Sequence, residues 1–154
     1  MNPDTRPEPP ILLGLTDRTA FQQGEALSWF QQNYDAYQIN WEFLPRADSS
    51  FKTLTFTIVM GTWCPDSRRE VPRFYKILDT LGIVDDQITL INVDRSKRTP
   101  NGEETGLDIQ NIPTFIIYWN GTEIGRIVES PEETLESDLE FILLGMPMEP
   151  PDGD

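Results

Sequence analysis

The strongest constraint on the fold lies between residues 54 and 81. Leu54-Thr55-Phe56-Thr57-Ile58-Val59-Met60 is rich in β-branched and aromatic residues and predicts a buried strand. Gly61 ends it. From 65 to 81 the apolar residues Val71, Phe74, Tyr75, Leu78 and Leu81 recur at helical spacing, and Gly82 is a stop signal. A strand that runs directly into an amphipathic helix opens a strand–helix–strand unit, and Ile88 to Val93 supplies the second strand. Pro72 falls inside the helical pattern and predicts a kink there.

The rest of the chain extends that unit. Phe21, Ala26, Leu27, Trp29, Phe30 and Tyr34 predict a helix from Phe21 to Tyr37, with Thr16 or Asp17 as its cap. Residues 40–50 read as a connector with a short extended piece through Trp41 and Phe43. Residues 94–108 are polar and carry Pro100-Asn101-Gly102, a turn signal, so they form a loop. Ile109 to Pro113 leads into a strand at Thr114–Trp119. Asn120-Gly121 turns it into a further strand from Glu123 to Val128. Pro131 to Leu144 reads as a closing helix, with Ser130 as cap. This order predicts an α/β domain of three α/β/α layers, with a central mixed sheet flanked by helices. Residues 1–15 are expected to be a flexible arm, 16–145 a single domain and 146–154 an acidic, proline-rich tail.

Composition removes several kinds of chemistry. The 154 residues include no histidine, so Ser-His-Asp and Cys-His nucleophile systems are excluded and no zinc site is expected. A single cysteine rules out an intramolecular disulfide. The net charge of −14 opposes binding to nucleic acid or anionic membrane. No apolar run is long enough to cross a bilayer, and Met1–Pro10 carries no signal-peptide core, so a cytoplasmic location is expected. Asp94, Glu103 and Glu104 lack further ligands in a recognised metal spacing and read as surface charge. Arg69, Arg73 and Lys76 lie at helical spacing and read as a solvated face.

The cysteine that remains, Cys64, falls where the first strand ends and the helix begins. Unpaired N–H groups and the positive end of the macrodipole stabilise a thiolate at such a place. Pro65 suits the first helical turn, because its missing N–H would be unpaired anyway. Arg68 and Arg69 add positive charge nearby, and Asp66 opposes it. A lone cysteine is often only a small buried hydrophobe. Here Trp63 before it and Pro65 after it, at the open end of a strand, favour a working thiol. Ser67 is either a hydroxyl bonding locally in the helix turn or a hydrogen-bond donor to the thiolate. Pro113, read alone, is a strand-start proline.

The strand, Trp63-Cys64-Pro65-Asp66-Ser67 and the helix together resemble the thioredoxin active-site segment, Trp-Cys-x-x-Cys. Pro72 matches the family's helix-kinking proline. Ile112-Pro113-Thr114 resembles its cis-proline loop, which packs against the active-site cysteine and pairs with substrate backbone. Asn120-Gly121 matches the hairpin of the last two strands. The likeness covers roughly residues 50–144, and the stretch from Trp63 to Leu78 looks like a bacterial branch of thioredoxin-like proteins. Against the family pattern, Ser67 replaces the resolving cysteine, which closes the dithiol cycle. Ile58 stands where many members have a buried proton-accepting Asp, Leu90 stands near its Lys partner, and Glu129 replaces a glycine at the site's rim.

The resemblance implies thiol–disulfide exchange through one nucleophile, of the isomerase or glutathione-exchange type. Cys64 and Ser67 are the expected catalytic residues, with Trp63, Pro65, Asp66, Ile112, Pro113 and Glu129 around the substrate. Partners are expected to be protein or small-molecule thiols and disulfides, with no cofactor, and the chain to be a monomer or weak dimer. The other readings are a redox-silent module that binds an extended peptide, and an iron–sulfur cluster held with outside thiols.

Overall fold

The structure is a computed structural model that describes residues 11–145. Strands β1 (Gly14–Thr16), β2 (Leu54–Met60), β3 (Ile88–Asn92), β4 (Thr114–Trp119) and β5 (Thr122–Val128) form one sheet in the order β1-β3-β2-β4-β5. Helices α1 (Gly24–Ala36), α2 (Pro65–Thr80) and α3 (Leu135–Leu144) flank it. β2 and β3 are parallel, joined through α2, while β1–β3, β2–β4 and β4–β5 are antiparallel. The mixed α/β sheet expected from the residue pattern is therefore present.

Alternation along the strands builds two apolar clusters. Phe56, Ile58 and Met60 of β2 join Phe74 and Leu78 of α2, Phe30 of α1 and Leu139 of α3 in the main core. Val59, one step out of phase, joins Ile91, Val93, Ile112 and Cys64 in a smaller cluster. Leu107 and Ile109 of the long loop pack against this second cluster, which explains why a polar, turn-rich segment carries them. α3 lies close on β5 because Gly125 has no side chain, and a Cβ there would come within 2.8 Å of Ile142.

Four details differ from the sequence expectation. Gly14 and Leu15 belong to edge strand β1, so the arm expected over 1–15 does not extend through them. Three residues are too few to show an alternating pattern; the Asn92 amide secures them, donating to the Gly14 carbonyl at 3.2 Å and the Thr16 hydroxyl at 2.7 Å. Asp17 caps a 3-10 turn at Arg18–Phe21 instead of α1, which starts at Gly24. The closing helix starts at Leu135 and not at Pro131, because Thr134 and Ser137 cap it reciprocally. The 40–50 segment contains no strand, and Trp41 and Phe43 are exposed. α2 continues through Pro72. The tail expected at 146–154 lies outside the described residues.

A polar clasp ties the helices together. Arg18 donates two bonds to Asp79, at 2.8 and 2.5 Å, lies 3.1 Å from Asp85 and stacks over the Tyr75 ring. Tyr34 donates to the same carboxylate at 2.5 Å; burial, then that bond, push its phenol up to about 12. Arg18→Ala is expected to lower unfolding stability by about 2 kcal/mol, since a bidentate, partly buried pair and a cation–π contact are lost together. Denaturant unfolding checks this. Three of the four basic residues of α2 are likewise structural: Arg69 pairs with Asp66 and Glu70, Arg73 lies 3.6 Å from Glu70, and Lys76 donates to the Tyr37 carbonyl at 2.6 Å.

Candidate functional site

The site forms where β2 delivers the chain into α2. Gly61 and Cys64 close a tight turn, with the Cys64 N–H on the Gly61 carbonyl at 3.0 Å. Cys64 is the N-cap of α2 in extended conformation, makes no side-chain cap bond, and Pro65 opens the helix behind it. The Ile112–Pro113 peptide is cis, and the Ile112 carbonyl lies 3.8 Å from the Cys64 sulfur. Cys64, Ile112 and Pro113, far apart in sequence, are thus in one place.

The sulfur is more enclosed than the open strand end led one to expect. Cys64 is 8% exposed, because Val59, Ile91, Val93 and Ile112 surround it and Trp63 packs against that cluster. Trp63 is held by its indole N–H on the Val93 carbonyl at 3.0 Å. This is possible only because residue 61 is glycine. A Cβ there would stand 2.6 Å from the indole and 2.9 Å from Ile112.

The remaining predicted residues divide. The Ser67 hydroxyl is fully buried and accepts the Gly61 N–H at 3.2 Å, so it braces the turn and is not bonded to the sulfur. Asp66 faces Arg69 at 2.8 Å, and Arg68 turns its Nε to the Thr62 carbonyl at 2.5 Å, so neither arginine forms a pair with Cys64. Pro65 is exposed on the rim. Glu129 adopts φ 65°, the left-handed region where glycine is at ease, and its N–H reaches the Pro113 carbonyl at 2.7 Å. Its exposed side chain adds a negative charge to that edge. Ile58 and Leu90 face each other in the β2–β3 register and are buried, which makes an apolar pair beneath the site.

Sequence reading missed Thr62 and Val93, whose contributions are carbonyl oxygens carrying no side-chain signature, and Arg95, which stacks over Trp63 at 5.3 Å. The one available signal was position, since Val93 and Arg95 follow the end of β3 at the edge of the sheet where sites gather. Among the described residues no group of three or more His, Cys, Asp or Glu is arranged to hold a metal, and no helix is long and apolar enough to cross a membrane.

A mixed sheet, a cysteine capping a helix and a cis-proline loop against it define a thioredoxin-fold domain. A family model described as thioredoxin matches residues 51–140, and the chain belongs to that family. Membership carries a thioredoxin-like redox role in general terms. Among solved structures, a protein of unknown function from Pseudomonas aeruginosa is similar at 16% identity and TM-score 0.56, over 85% of this chain and 93% of that one. Fasciola hepatica thioredoxin aligns at 19% identity and TM-score 0.43, over 68% and 86% of the two chains. Mitochondrial thioredoxin 3 of Saccharomyces cerevisiae aligns at 17% and 0.42, over 61% and 79%. No curated protein matches the sequence significantly.

Proposed function

We propose that this protein exchanges thiols and disulfides through Cys64 alone. The observation that carries the reading is the sulfur at the N-cap of α2, 3.8 Å from the carbonyl that precedes the cis-proline. The Cys64 thiolate attacks one sulfur of a partner disulfide. A new S–S bond forms to Cys64, the old one breaks, and its electron pair leaves on the departing thiolate. A second thiolate, from the substrate or from solution, then attacks the mixed disulfide and releases Cys64 as thiolate. No net oxidation or reduction occurs, which suits isomerisation or exchange with a small thiol. Ser67 contributes by bracing the turn, and Trp63, Pro65, Ile112, Pro113 and Glu129 border the partner.

The missing second sulfur gives a direct test. Ser67→Cys is expected to turn the chain into a reductant of small disulfides. The introduced thiol would close an internal disulfide with Cys64, the electrons passing to the small disulfide, which intact mass reports as a loss of two hydrogen atoms. The wild type is expected to stop at a stable adduct. If both proteins form only adducts, the turn cannot serve a dithiol cycle, and the idea that Ser67 alone blocks it is wrong.

Two observations favour a redox-silent peptide-binding module as a second reading: the 8% exposure of Cys64 and the apolar Ile58–Leu90 pair. In that case a peptide lies beside Pro113 and the thiol is incidental. Binding without exchange in the wild type would select this reading.

A further inference from the structure

A second concavity adjoins the thiol turn, on the walls supplied by Thr62, Trp63 and Arg68 and by Trp29 and the start of α1. Its volume of about 360 Å³ lies at the small end of the range for small-molecule sites. Its chemistry runs against the rest of the chain, which carries 26 acidic and 12 basic residues. Arg18, Arg69, Arg73 and Arg126 are each matched to carboxylates. Arg68 is not: among the described residues its partners are the Thr62 carbonyl, at Nε, and the face of Trp29, 6.0 Å from the ring centroid. Arg95 reaches the same concavity and lies over Trp63. α1 begins there too, and its N-cap, Gln23, makes no side-chain cap bond, so the positive end of the helix faces the space uncapped. Among the described residues Glu25 is the one acid in the wall.

We propose that this pocket binds the carboxylates of a small anionic thiol or disulfide and thereby supplies the outside thiol that Cys64 lacks, an inference that rests on the exchange reading above. Arg68 presents its planar guanidinium to a carboxylate, and Trp29 and Trp63 cover the apolar stem. Thr62 and Trp63, the two residues before Cys64, line the pocket, and the Arg68 side chain is anchored on the Thr62 carbonyl, so the ligand is held against the turn that carries the sulfur. The bound thiolate attacks the Cys64 mixed disulfide and forms a bond to the partner sulfur. The electron pair of the broken bond returns to Cys64.

The sign of the charge makes the test sharp. The field of a chain with net charge −14 draws cations and repels anions. Rates of Cys64 modification are measured at low salt with glutathione disulfide, which is anionic, and cystamine, which is cationic. Each is divided by its rate with a free model thiol. The normalised ratio is expected to favour the anion by about tenfold, the worth of one charge-assisted contact. Arg68→Gln is expected to reverse it, with Arg95→Gln as the second variant should Arg68→Gln fail to fold. A wild-type ratio at or below one, or a ratio unmoved by the substitutions, overturns the proposal. If Cys64 reacts with neither disulfide, the exchange reading fails, and the pocket is judged alone by titrating Cys64→Ser with S-methylglutathione. Shifts of the Trp29 and Trp63 indole N–H signals support it, and their absence up to about 10 mM, weaker than any useful affinity, overturns it.

Discussion

Replacing Cys64 by serine is expected to bring catalysed exchange down to the rate of the uncatalysed reaction, with no adduct on the protein. The chain has one cysteine, so nothing can substitute for it. A serine hydroxyl is barely ionised at neutral pH and is a poor nucleophile toward sulfur, so the loss is complete in practice. The fold should survive. Cys64 makes one long contact to the Ile112 carbonyl and no helix-capping bond. Intact mass after incubation with a small disulfide, followed by release with a second thiol, reads both halves of the cycle. A wild type no faster than the variant, with peptide binding retained in both, would transfer the conclusion to the binding module.

Gly61→Ala is expected to be the most damaging small substitution near the site. The added methyl would overlap the Trp63 indole and the end of Ile112 at once, and the clash is relieved only if the indole gives up its place. The indole is bonded to Val93, and Ile112 is buried against the sulfur. Overpacking costs about 1–3 kcal/mol, and losing the indole bond adds about 1 kcal/mol. Thermal unfolding should fall by about 5–15 °C. Alkylation of Cys64 should accelerate, because the displaced indole uncovers the sulfur. A variant as stable as the wild type, with the same alkylation rate, would show that Trp63 is not held as described.

The fold was legible wherever burial imposed a pattern. β2 and α2 announce themselves because residues 54–60 are rich in β-branched and aromatic residues and Val71, Phe74 and Leu78 keep helical spacing. β1 was not legible, since three residues on an edge bury only Gly14 and depend on a bond from Asn92. The start of α3 was misplaced because Ser130-Pro131 has the composition of a helix start, whereas the Thr134–Ser137 pair makes the actual cap. At the site, Cys64 and Trp63 stood out by residue type and position, whereas Pro113 was placed beside them by the family resemblance alone. The role of Ser67 was not legible, because a hydroxyl's partner is set by geometry, and here it is the amide of Gly61. The pocket at Arg68 was invisible for the same reason. Trp29, Arg68 and Arg95 are separated along the chain and meet only after α1 packs on α2.

The short antiparallel β1 gives the front of the chain a protective duty. Its three residues occupy the outer rim of β3, whose other side is already taken by β2. A version of the protein trimmed ahead of Asp17 would leave Leu90–Asn92 as a bare border, with unpaired amides and carbonyls turned outward. Sheet borders of that kind invite a neighbouring molecule to add a strand. Any shortened form made for crystallisation or assay should keep Gly14–Thr16, or self-association will be mistaken for a property of the whole protein.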